Sequence, residues 1–211
     1  MGIVESWEAL PEGARVALEE AWAGLAARGL PCGASIVDGR GGVVSRGRNH
    51  AYDSAAGIHP LERTRLAHAE LNALAGVDTD ADWGDLTVFT TAHPCAMCAA
   101  AIAFTGIGRV VYVADDPSDD SAPGQIASTR GAVAYHRLGS VEWAIIATVM
   151  FLYVGVELRG EGDANLGAAT ALNPALGALV VAEVQSGALG RAARAGIPIT
   201  DAFAHIWELV A

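Results

Sequence analysis

Positive charge is scarce in this 211-residue chain: 13 basic side chains stand against 24 acidic ones, a formal net charge of −11. With a pI near 4.8, the chain lacks the basic footprint of proteins that grip a folded nucleic acid, which argues against a polynucleotide substrate. Cysteine is scarce too. Three thiols, two of them three residues apart, make no disulfide framework and suit a reducing compartment, with the cytoplasm as the default. The first twenty residues have no basic segment followed by an apolar one, so no signal peptide is expected. The most apolar run, residues 143–156, is too short to cross a bilayer and reads as a buried helix or strand, so no membrane partner is expected. What is plentiful is apolar surface. Hydrophobic residues make up 52% of the chain and charged ones 18%, the balance of a folded globule with a full core, long enough for one domain with an elaborated end.

The densest chemistry lies at His93-Pro94-Cys95-Ala96-Met97-Cys98. Proline is preorganised for the first position of a helix, and residues three apart on a helix share a face, so both sulfurs can reach one ion. Upstream, His68-Ala69-Glu70 offers a neutral imidazole and a carboxylate two residues on. Either fragment alone says little, since C-x-x-C also serves redox dithiols and structural zinc knuckles. Together they read H-x-E … P-C-x-x-C, the signature of zinc-dependent base deaminases, in which the glutamate moves protons and is not a ligand. A structural zinc site closes its tetrahedron with four protein ligands. Here His68, Cys95 and Cys98 make three, with Cys32 or His93 as the fourth ligand of a closed alternative.

Taken in order, residues 11–28 repeat apolar side chains at helical spacing, and residues 34–37 and 43–47 read as a β-hairpin around a glycine-rich turn. Asn49 follows the hairpin, where its amide either reaches a ligand or turns the chain. Residues 52–65 read as a surface loop whose His59, Arg63 and Arg65 are candidate phosphate contacts, though solvated loop charge is the commoner fate. A helix is expected over residues 66–75, from the helical spacing of Leu66, Leu71 and Leu74, with His68 and Glu70 projecting from its first turn or two. A strand over 86–90, the Pro94 helix stopping at Gly106 or Gly108, and a strand over 109–113 complete an alternation that signals layered α/β structure. Residues 172–184 and 199–210 look helical.

With these motifs in place, residues 16–116 resemble the cytidine deaminase superfamily, in the branch of guanine deaminases, fungal cytosine deaminases and tRNA adenosine deaminases. The resemblance is carried by residues 29–38, Gly47-Arg48-Asn49, His68-Ala69-Glu70, residues 90–98, Ala101-Ile102 and residues 107–112. It implies an α/β fold, a three-layer α/β/α sandwich with a central mixed sheet. It also implies Zn2+ held by His68, Cys95 and Cys98, Glu70 as catalytic proton shuttle, Asn49 and Ala69 as substrate contacts, and a homodimer, while the acidity of the chain favours a small-molecule substrate. His93 and Ala96 depart from the family's usual residues. That departure sets His93 near the substrate, as a hydrogen-bond partner or as a group tuning the metal. Residues 1–120 are then expected as the deaminase core. Residues 121–211, including an acidic stretch to Pro123, are expected to pack on it, with Phe203, His205 and Trp207 either part of a cover over the site or plain core.

Overall fold

The structure, a computed structural model, describes residues 1–53, 61–116 and 132–211. Helices α1 (Ile3–Ala9) and α2 (Glu12–Ala26) lead into the hairpin β1 (Gly33–Val37) and β2 (Val43–Arg48). Then come α3 (Ala69–Ala75), β3 (Thr87–Ala92), α4 (Ala96–Thr105), β4 (Arg109–Ala114) and β5 (Ala134–Arg137). The five strands form one mixed sheet in the order β2-β1-β3-β4-β5, antiparallel at β2-β1-β3 and parallel at β3-β4-β5. This is the expected α/β sandwich.

Alternation along the strands explains why helices cover both faces. Ser35 gives a 2.8 Å hydrogen bond to the Gly13 carbonyl of α2, while Ala34 and Ile36 pack with Val88, Ala69 and Ala73 on the α3 side. Every residue of β1 is therefore buried, as in a strand covered on both faces. Two glycines set how close the helices come. A Cβ on Gly33 would lie 2.0 Å from the Ala17 carbonyl oxygen of α2, and one on Gly47 would lie 2.5 Å from the Ala73 nitrogen and 2.6 Å from the Ala69 carbonyl oxygen. Backbone meets backbone at both points.

The far end of the chain is helical. Helix α5 (Val141–Arg159) is capped by Ser140, whose Oγ accepts from the Trp143 N–H, and is followed by α6 (Ala164–Leu172), α7 (Pro174–Ser186), α8 (Ala188–Arg194), α9 (Ile199–Ala202) and α10 (Ala204–Val210). At nineteen residues α5 outruns the apolar stretch seen in the sequence and is long and apolar enough, by length and composition, to cross a membrane. Its burial assigns it to the core: Trp143, Ile146, Val149, Met150 and Leu152 are fully enclosed and share one hydrophobic cluster with α2. Phe203 and Trp207 belong to that cluster. Phe203 meets Trp22 edge-on at 5.7 Å, and the Trp207 indole N–H donates to the Met1 carbonyl. Their helical spacing is core packing.

Candidate active site

Two helix starts converge on the α3/α4 face of the sheet. His68 is the N-cap of α3 and Cys95 the N-cap of α4, both with extended backbone. This corrects two sequence expectations, since His68 stands before the first turn and Pro94 precedes the cap and not the first helical position. The causes are local. A turn closed by the Ala67 N–H on the Thr64 carbonyl and the His68 N–H on the Leu66 carbonyl holds residues 66–68 out of the helix and leaves Leu66 50% exposed. An N-cap residue requires non-helical backbone, which Cys95 adopts behind Pro94.

The offset leaves the ligands together. The His68 Nδ1 lies 3.6 Å from the Cys95 Sγ and 3.5 Å from the Cys98 Sγ, and the three donor atoms fall within 4.8 Å of one another. Bonds of about 2.0 Å to nitrogen and 2.3 Å to sulfur at a tetrahedral angle place such atoms about 3.6 Å apart, so the set fits zinc. Neither Cys32 nor His93 belongs to the cluster. Among the described residues three protein ligands form the set, the number that catalytic zinc sites use and one fewer than closed structural ones.

Charge is arranged to match. Hydrogen bonds from the Cys98 thiol and the His68 ring hold the Cys95 thiol down to about 4, which favours the thiolate a metal needs. The Cys95 hydrogen bond in turn pushes His68 up. Glu70, in the first turn of α3, is 7% exposed and is no member of the donor set. Its Oε1 accepts from Thr90 Oγ1 at 3.2 Å and its Oε2 from the Cys98 thiol at 3.4 Å. Burial pushes its carboxyl above the usual range, which suits a group that must both take and give a proton.

Around this centre the remaining predicted residues take various places. Asn49 is 2% exposed, pairs its N–H with the Cys32 carbonyl, and accepts from the Ala51 N–H with its Oδ1, so it does turn the chain. Ala69 points its methyl into the core, leaving only its backbone to face a ligand. His93 is buried two residues before Cys95, its ring edge-on to Tyr112 at 4.8 Å and tilted against Tyr135 at 5.4 Å. Arg48 is committed to Asp53 through a fork of 2.8 and 2.7 Å, while Arg63 and Arg65 are exposed. His59 and the stretch to Pro123 lie outside the described residues. Sequence reading missed Thr90 and Tyr135. A threonine on the inward face of β3, in step with Val88, was the available signal for the first; the second sits on a short strand without alternation.

The model of the cytidine and deoxycytidylate deaminase zinc-binding region matches residues 9–114, half of the chain. Over 102 residues the chain is 32% identical to a cytosine deaminase of Candida albicans, covering 47% of this chain but only 63% of that protein. It is 28% identical over 127 residues to a tRNA-specific adenosine deaminase of Rickettsia bellii, covering 58% of this chain and 82% of the relative. Among solved structures, a guanine deaminase from Nitrosomonas europaea shares the fold, with a TM-score of 0.51 and 23% identity over 69% of this chain and 85% of its own. Fold, donor set and matched segment coincide, and the chain belongs to the cytidine and deoxycytidylate deaminase zinc-binding family.

Proposed function

We propose that this protein catalyses hydrolytic deamination of a small amino-substituted heterocycle, a free purine or pyrimidine base or its nucleoside, with release of ammonia. The observation that carries the reading is Glu70: a buried carboxylate outside the donor set, yet within 3.4 Å of a ligand sulfur and fixed by Thr90. A structural zinc site has no use for it. Zinc held by His68, Cys95 and Cys98 supplies Lewis acidity that makes water a nucleophile near neutral pH. Glu70 takes a proton from the attacking water and delivers it to the ring nitrogen beside the carbon that gains the C–O bond. It then moves the hydroxyl proton to the amine as the C–N bond breaks, so ammonia leaves and a carbonyl remains. Asn49, through its amide NH2, the Ala69 backbone and His93 hold the ring during these transfers.

A second reading, deamination of a nucleotide or of tRNA, is favoured by the tRNA-specific adenosine deaminase among the relatives. The net charge of −11 and the engagement of Arg48 by Asp53 weigh against it. We further propose a cytoplasmic homodimer. Residues 1–120 carry the reaction, and residues 121–211 pack on them and shape substrate choice. The test is ammonia release by zinc-loaded protein over a panel of bases, nucleosides and nucleotides, with Glu70→Gln as the blank. Release from a base or nucleoside supports the first reading. Release confined to nucleotides or tRNA, with steep salt dependence, supports the second.

A further inference from the structure

The imidazole of His93 is in an unusual position for a buried polar group. It is 9% exposed, its Nε2 is enclosed, and among the described residues no atom hydrogen-bonds to that nitrogen. Nearly every buried nitrogen in a native protein has a partner, because leaving one unpaired forfeits its hydration with nothing in return. The ring is also held in place. Tyr112 presses on it edge-on and Tyr135 lies tilted across it, so turning Nε2 towards water would mean breaking two aromatic contacts.

The sheet register shows where this group stands. Tyr135 pairs with Val110 across the parallel β4-β5 ladder, so the two side chains share a face. Val110 belongs to the cluster of Ala69, Ala73 and Ile102 beneath α3 and α4, and Tyr135 packs against that cluster. The tyrosine therefore reaches from the last strand of the sheet to the metal side of the molecule. Burial, and after it the negative charge of Cys98 and Glu70, keeps its hydroxyl proton on. Residue 135 also lies beyond residues 9–114, so the family match assigns it nothing.

We propose that Tyr135 and His93 form the aromatic wall of the substrate site, with the His93 Nε2 as the polar atom that reads a heteroatom on the edge of the substrate ring. The inference rests on the deaminase reading and deepens it: the ligand is a flat heteroaromatic ring with a ring nitrogen or exocyclic group turned towards His93. It also decides between the two roles open to His93 in favour of substrate recognition. Tyr112 is a positioning residue that fixes the imidazole without touching the ring.

The experiment is binding, in place of turnover, measured by calorimetry with 8-azaguanine and with cytosine on zinc-loaded Glu70→Gln protein. In that background His93→Phe should weaken binding of the preferred ring by about tenfold or more, the loss of a buried hydrogen bond. Zinc stoichiometry should stay at its parent value and Tm should not fall, because the substitution removes an unpaired polar atom. His93→Gln should recover part of the affinity, and Tyr135→Leu should cost about threefold or more through lost stacking. A purely structural role predicts the reverse pattern, a lower Tm with unchanged affinity. Affinities within twofold of the parent in both His93→Phe and Tyr135→Leu would overturn the proposal, as would failure of the parent to bind either ring. Ammonia release is scored separately for the wild-type protein and for His93→Phe and Tyr135→Leu with Glu70 intact, so deamination without dependence on His93 or Tyr135 removes this inference and leaves the deaminase reading standing.

Discussion

A carboxylate does useful proton chemistry only where its two protonation states are close in free energy, and Glu70 is placed between opposing influences. Burial disfavours its charge while the nearby His68 favours it, and the Thr90 hydroxyl fixes the side chain. Glu70→Gln keeps the shape and removes the shuttle, so metal analysis should find full zinc while ammonia release falls by about 10²-fold or more. Cys98→Ala removes a ligand enclosed between Glu70 and His68, and the same analysis should find the metal lost. Turnover is then lost with it. His68 with Glu70 and Cys95 with Cys98 were legible as pairs because each pair lies within one short segment, and the joint H-x-E … P-C-x-x-C motif brought the two segments to one site. Thr90 and Tyr135 were not, because their places depend on partners across the sheet: twenty residues separate Thr90 from Glu70, and Tyr135 reaches His93 only through β5.

Helices and strands were easier to name than to bound. Each ligand-bearing helix starts one residue after the residue expected inside it, since an N-cap looks helical in a periodic pattern but is extended in the chain. The four-residue β5 escaped notice because three of its residues are exposed and no alternation marks it. At α6 the capping is explicit: Asp163 accepts from the Asn165 and Leu166 N–H groups, each at 3.0 Å, and pairs with Arg159. Burial works against its charge, but these donors outweigh it and hold the carboxyl below its ordinary 3.8. A depressed folded-state value means stability that is present above the unfolded value and lost as pH falls through the folded one. Asp163→Ala should therefore cost about 1–2 kcal/mol at pH 7, measured by denaturant unfolding. The gap to wild type should narrow as the pH drops below about 4.

At the scale of the molecule, two clusters share the sheet. The α3/α4 face carries the chemistry, and the α2/α5 face carries the larger core, in which Trp143 touches both Trp7 and Trp207 and its indole N–H donates to Ser6. Trp143→Ala should cost about 3–5 kcal/mol, seen as a lower urea midpoint, because it leaves a void that joins elements from both ends of the chain. The acidic surface sets a different expectation. A small uncharged ring should bind with an affinity that changes less than about twofold between 50 and 200 mM salt, whereas polyanion binding through several phosphates would fall by orders of magnitude. The alternation of strands and helices made the layered fold readable, but not which face the C-terminal helices would choose.

That arrangement gives the smallest residue of the hairpin a mechanical part. Because no side chain separates Gly47 from the Ala69 carbonyl and the Ala73 nitrogen, the outermost described strand is coupled in series with the helix that starts at the ligand imidazole. Ordinary contacts absorb a displacement by rotating a side chain. This one has no such spring, so any side chain at position 47 would have to displace the backbone of the helix whose first turn carries Glu70 and whose cap is His68.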